Sequence, residues 1–362
     1  MDRSLSGRAG GVGAGLGRAF DLVRARGCAA QLCVIRDGEL IADEAFGCAK
    51  DSLFWLFSAS KPVVALAVHM LAERGQLSLD DPVAEHWPRF AASGKDAITI
   101  RQVLQHRAGL PVARSMAQDV LVMTDWDASV RAIEEASPSL PPGTAPAYHI
   151  LSYGFILGEL VQRVTGTSLR DFVHGEIFGP LGLRDAYLGL PGELWHRHVP
   201  VRGRDPARLV TQLVVNRPAV RAAVIPAAGI SATARDIARL YAALLDGGVL
   251  DGVRIVQPRT IEAATTPSSE GETDRFLHLQ IRWATGFQLG GAQRGPGGYG
   301  PMGKVASSQA FGHNGSYACL AWADPARRVA IAYLTSGLPS RSAGNRHQAA
   351  VSDAILTGLG EG

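Results

Sequence analysis

Runs that read as strands stand at the two ends of this 362-residue chain, and most of the stretch between them reads as helix. Near the N-terminus, Asp37-Gly38 separates the apolar runs 28–36 and 39–46. An Asp-Gly pair between such runs signals a hairpin, because both residues tolerate the positive φ that a tight turn imposes. Beyond residue 275 come the runs 281–289, 310–312, 319–324 and 329–335, with Asp324-Pro325 marking a turn between the last two. If the two ends share one antiparallel sheet, the middle is an inserted, mostly helical lobe and a site falls at the seam. The expected class is α/β of the α+β type: an antiparallel sheet flanked by helices from both chain ends. Residues 1–18, rich in glycine and arginine, read as a flexible lead. Residues 19–362 read as a single domain, with a sheet lobe at 19–57 and 275–362 and a helical lobe at 58–274.

Local signals place the helices. A short one is expected over 20–26. The apolar stretch after Lys61 predicts a helix ending near Arg74-Gly75-Gln76. Thr99 is placed to cap 100–106, and Gly166 to stop a helix over 153–165. Ser168 and Thr233 each precede an acidic residue by three, the pattern of a capping box. Gly247-Gly248 closes the second of these helices, and 348–359 reads as a C-terminal helix.

Composition narrows the function classes. An apolar fraction of 46% with 19% charged residues fits a globular chain with a large core. The net charge of +3 is small, and no basic block is interleaved with aromatics, so no nucleic-acid partner is expected. No apolar run approaches 18 residues, so no membrane span is expected. The N-terminus lacks the apolar core of a secretory signal. Cys28, Cys33, Cys48 and Cys319 have no zinc-type spacing and read as free thiols of a cytoplasmic protein. No metal or cofactor is expected. His196 and His198 lack accompanying ligands, and the P-loop-like spacing from Gly298 to Lys304 carries Val305 where Ser or Thr is required. The glycines at 7–17 never fit a dinucleotide fingerprint.

The chemistry-bearing pattern is Ser58-Ala59-Ser60-Lys61. Residues three apart share a helix face, so the Lys61 amine can reach the Ser58 hydroxyl. The N-terminal N–H groups and the positive end of the helix dipole lie beside that serine. By itself the spacing is weak: four lysines give about a one in four chance of a serine three residues earlier. The apolar run Leu53–Phe57 before it would desolvate the lysine and lower its pKa, as base chemistry requires. Trp55, Met123 and Trp126 are candidates for an apolar pocket.

Two further motifs follow in order. Pro142-Gly143-Thr144 leads to Tyr148-His149-Ile150, and Gly312-His313-Asn314-Gly315 precedes the apolar run at 319–322. With the first motif they make the chain resemble the serine β-lactamase and penicillin-binding-protein superfamily, in particular its class-C-like esterase branch, over about residues 20–355. The resemblance implies a β-lactamase-like fold and an acyl-enzyme on Ser58. It implies that Lys61 and Tyr148 handle the proton, and that the backbone N–H groups of Ser58 and Ser316 form an oxyanion hole. His313 and Gly315 would line or shape the substrate site, while His106 and His149 read as structural. The family's penicillin-recognising members carry Asn where Ile150 stands and a lysine where His313 stands. Both departures favour small, largely apolar carboxylic esters. An acyltransferase of the same fold, a β-lactamase or D-peptidase, and a non-catalytic acyl-trapping sensor are the alternatives. Oligomeric state is not encoded in any signal found.

Overall fold

The structure, a computed structural model, describes residues 15–203, 206–291 and 299–360. Helix α1 (Gly17–Ala25) leads into strands β1 (Ala30–Arg36) and β2 (Glu39–Phe46). The middle of the chain contributes helices α2 (Lys61–Glu73), α3 (Met116–Val122), α4 (Trp126–Glu135), α5 (Ser152–Thr165), α6 (Pro206–Val215) and α7 (Ala234–Leu245). Strands β3 (Gln288–Leu289), β4 (Phe311–Gly315), β5 (Cys319–Asp324) and β6 (Val329–Thr335) then precede helix α8 (Arg341–Gly360).

The two chain ends do share one sheet. Its order is β3-β4-β5-β6-β1-β2, antiparallel throughout. The closing pair is β1 with β6, in register from Ala30 opposite Thr335 to Arg36 opposite Val329. Alternation along β1 explains the layering. Leu32 and Val34 join a core with α1 and α8, through Val23, Val351 and Ile355. Cys33 and Ile35 point the other way, into the large core shared with the helical lobe.

Helix α7 packs directly on β1, β5 and β6. It therefore belongs to the sheet layers, although 234–245 lies inside the stretch assigned to the helical lobe. Its amphipathic face buries Ile237, Leu240, Tyr241 and Leu244. The expected strand over 281–289 shrinks to Gln288–Leu289, because Ala284 N–H bonds Phe287 O across a turn in which Gly286 has φ +107°. A Cβ at Gly286 would lie 2.4 Å from that of Ala65 on α2, so this turn is pressed against the helix that carries Lys61. The 310–312 run extends to Gly315, and α8 begins at Arg341 rather than 348. Of the expected flexible lead, residues 1–14 lie outside the described residues, while Gly17 and Arg18 already form α1. No helix among the described residues is long and apolar enough to cross a membrane.

Candidate active site

The segment before Ser58 is fully packed: Leu53, Phe54, Trp55, Leu56 and Phe57 are all buried. Phe54 and Trp55 pair with Ala232 and Ser231, and Leu56 N–H donates to Ile230 O at 2.9 Å. Ile230 N–H donates in return to Ser60 Oγ at 3.2 Å. Phe57 is forced to φ +50°, an uncommon conformation for a bulky residue, and a 3₁₀ turn over Phe57–Ser60 then delivers the chain into α2. Ser58 thus sits on a clamped turn just ahead of the helix and stays partly exposed.

Lys61 is 1% exposed. Its Nζ lies 3.3 Å from Ser58 Oγ, and donates to Ile150 O at 2.8 Å and Ala227 O at 3.4 Å. Among the described residues no carboxylate forms an ion pair with it. Burial without a counter-charge pulls the amine well below the ordinary lysine pKa. The Ala227 carbonyl comes close because Gly154 lets α5 press on that segment; a Cβ there would lie 2.3 Å from Ala227 N.

Tyr148 joins this pair from the helical lobe, with its ring centroid 4.7 Å from Lys61 Nζ. The ring stacks on Trp283 at 5.4 Å and 13°, and touches His106 at 4.7 Å. Its phenol oxygen is buried without a hydrogen-bond partner in good geometry, though it is close enough to Ser58 for that hydroxyl to favour the phenolate. Burial dominates and raises its pKa.

His313 on β4 completes the group, its ring 6.1 Å from that of Tyr148. Burial, then the nearby Lys61, pushes its pKa down to about 3, so the ring is neutral. Nδ1–H donates to Asn314 O at 2.7 Å, which leaves Nε2 as an acceptor with no partner. No hydrogen bond joins it to Tyr148.

Gly315 does not line the cavity. A Cβ at that position would sit 1.9 Å from Leu56 O, so only glycine lets the end of β4 lie against the turn carrying Ser58. The chain then reverses through Ser316 (φ +49°) and Tyr317 (φ +58°), with Ala318 N–H closing on Gly315 O at 2.9 Å. Among the described residues, the N–H groups of Ser58 and Ser316 donate to no backbone or side-chain acceptor, as an oxyanion hole requires.

Ser58, Tyr148, His313 and Ser316 all face one cavity of about 1160 Å³. Trp55 and Met123 line it as expected, and so does Ile150. Trp126 does not: its Nε1–H donates to Glu159 at 2.7 Å and its ring packs edge-on against Phe155. His106 and His149 hold the loops, His149 N–H bonding His106 Nδ1 at 3.1 Å and Leu110 N–H bonding His149 Nε2 at 3.2 Å. His196 and His198 bond the carbonyls of Glu193 and Trp195.

One residue without a sequence signal organises the site. Asp274 is completely buried, and its Oδ1 accepts from the N–H groups of Tyr148, Phe276 and Leu277 at 3.1, 3.0 and 2.8 Å. Its Oδ2 accepts from Trp283 Nε1 at 3.2 Å. It therefore fixes both the tyrosine and the indole stacked on it. Thr273-Asp274 belongs to no motif, so only the folded arrangement reveals it.

The sequence profile of the Beta-lactamase family matches residues 21–354. The esterase/beta-lactamase LipL of Mycobacterium tuberculosis is 30% identical over 350 residues, covering 85% of this chain and 77% of that protein. A penicillin-binding-protein homologue from Caulobacter crescentus superposes with a TM-score of 0.83 at 30% identity, covering 98% of this chain and 100% of the other. A family VIII carboxylesterase gives 0.82 at 28% identity, over 95% and 97% of the two chains.

Proposed function

The chain belongs to the Beta-lactamase family, and on that premise we propose that it is a carboxylic ester hydrolase working through an acyl-enzyme on Ser58. The observation that carries this reading is the Lys61 amine, desolvated, without a counter-ion and 3.3 Å from Ser58 Oγ. A neutral amine has two N–H groups and one lone pair. The carbonyls of Ile150 and Ala227 take the two N–H groups, which leaves the lone pair for the Ser58 proton.

Ser58 Oγ attacks the ester carbonyl as its proton passes to the Lys61–Tyr148 pair. The carbonyl oxygen gains the negative charge and is met by the N–H groups of Ser58 and Ser316, each such donor being worth about 10²–10³ in rate. The ester C–O bond then breaks, the pair returns the proton to the departing alkoxide, and the alcohol leaves. Water repeats the sequence on the acyl-enzyme, releasing the acid and restoring Ser58. A coupled amine and phenol titrate as a unit, so the proton belongs to the pair.

The likeness to a family VIII carboxylesterase supports ester cleavage, while the name of LipL carries both esterase and beta-lactamase. Two residues of this chain point towards esters. Ile150 offers the cavity an alkyl side chain, and His313 is neutral where β-lactam-recognising members carry a cation. The substrate is a small-molecule ester, largely apolar. Four free cysteines, two of them fully buried, support a reducing, cytoplasmic setting. The test is turnover of p-nitrophenyl acetate against a chromogenic cephalosporin, with Ser58→Ala as control. Ester turnover that disappears in Ser58→Ala supports the reading; ester turnover that survives it, or a preference for the cephalosporin, removes it.

A further inference from the structure

Among the described residues, seven large apolar side chains are exposed, and five of them belong to two helices at the mouth of the active-site cavity. Helix α3 supplies Met116 (41% exposed) and Leu121 (80%), and α6 supplies Leu209 (45%), Val210 (68%) and Leu213 (65%). Met116 and Val210 themselves line the cavity, as do their helix neighbours Val120 and Val214. Leu209 and Leu213, four apart, form one stripe beside that lining face. Helix α6 thus presents apolar side chains to solvent as well as to the cavity, where Arg208 and Thr211 stand beside Val210 and Val214; an ordinary surface helix keeps its apolar residues on one face.

Charge is sparse on the same elements. Arg208 is the single charged residue of α6. The single acid of α3, Asp119, is turned inward, accepting from the N–H groups of Ala113 and Arg114 at 2.8 and 3.1 Å. Apolar side chains, Trp55, Met123, Ile150, Val120 and Val214 among them, share the cavity lining with Arg208 and Arg341, and the cavity exceeds the roughly 300–1,000 Å³ that drug-sized ligands occupy. A short ester would leave its outer part empty.

We propose that the substrate of this site is an ester with one long alkyl arm, whose outer methylenes lie along the mouth formed by α3 and α6. This rests on the ester-hydrolase reading and narrows it to fatty esters. The alkyl arm can come from the acid or the alcohol, so both are tested. The rates kcat/KM are measured for p-nitrophenyl alkanoates and for alkyl acetates from two to ten carbons, below their micelle concentrations, with Ser58→Ala beside them. A fully buried methylene is worth roughly a factor of three to four. With a half-exposed rim, an increase of about thirtyfold between four and ten carbons in at least one series is expected. Val210→Gln with Leu213→Gln, both at exposed positions that the fold tolerates, lowers the decanoate-to-butyrate (or decyl-to-butyl) ratio of kcat/KM at least about fivefold. Values that are flat or falling beyond four carbons in both series, with Ser58→Ala still inactive, overturn the proposal and leave the hydrolase reading standing. So does a chain-length ratio untouched by the double variant, or a dimer that the double variant converts to monomer, which would make the rim a contact between copies. Turnover surviving in Ser58→Ala is the separate failure of the hydrolase reading.

Discussion

Lys61 Nζ hangs from the backbone carbonyl of Ile150 at 2.8 Å, two residues beyond Tyr148. The tyrosine motif therefore does more than bring a phenol to the site. Its own backbone fixes the amine, so the amine and the phenol are positioned by one loop, and that loop is held in turn by Asp274.

Tyr148→Phe separates function from stability. The phenol oxygen is buried without a good partner, which costs folding free energy. Removing it should leave the urea midpoint unchanged or raise stability by up to about 1 kcal/mol, while kcat falls about 10²–10³-fold. A variant that loses stability and keeps activity would make Tyr148 a packing residue.

Lys61 makes stability depend on pH with a definite sign. Its folded pKa lies below the unfolded value, so between the two the unfolded chain binds more protons and stability rises with pH. Lys61→Met deletes that contribution. The stability of the native protein relative to Lys61→Met should therefore increase from pH 7 towards 10, by up to about 1.4 kcal/mol per pH unit. Urea titrations of both proteins at several pH values measure it; a constant difference means that the amine is not desolvated. The same shift places the acid limb of kcat/KM well below the ordinary lysine range.

Asp274→Ala leaves four N–H groups without their acceptor in a buried setting, at about 1–3 kcal/mol for each that finds no substitute. Asp274→Asn can still accept through Oδ1 but turns an NH₂ towards Trp283. Asparagine should thus be intermediate in both denaturation midpoint and kcat. Equal stability of the two variants would contradict this arrangement.

Gly315→Ala tests the contact between β4 and the Ser58 turn. A methyl 1.9 Å from Leu56 O cannot be housed without moving backbone. The expected outcome is about 1–3 kcal/mol of destabilisation with a fall in kcat of at least about tenfold. Native-like activity would show that the two segments are free to part.

Legibility in the sequence followed the range of the interaction. Asp37-Gly38 marked its hairpin, Thr99 proved a full capping box with Gln102, and Gly166 ended α5 in the left-handed conformation, because each is decided by nearest neighbours. The Ser58–Lys61 contact was readable for the same reason, since three residues of helical spacing fix it. Tyr148 and His313 emerged through motif order, and the fold brings both to Lys61. The pairings of Asp274 and of Trp283 with Tyr148, and of the Ile150 carbonyl with Lys61, carry no local pattern; these partners are distant in the chain, and folding alone brings them together. Trp126 shows the converse: an indole beside apolar neighbours looked like pocket lining but is spent on Glu159. Helix α7 was readable as a helix, yet its place on the sheet depends on packing with β1, β5 and β6.

The most direct test of the central claim is the site of covalent capture. The protein is treated with a fluorophosphonate, its intact mass is recorded, and the modified peptide is sequenced. One adduct on Ser58, slowed by Lys61→Met and absent in Ser58→Ala, is the predicted result. An adduct on another residue, or labelling of Ser58→Ala at the native rate, would contradict it.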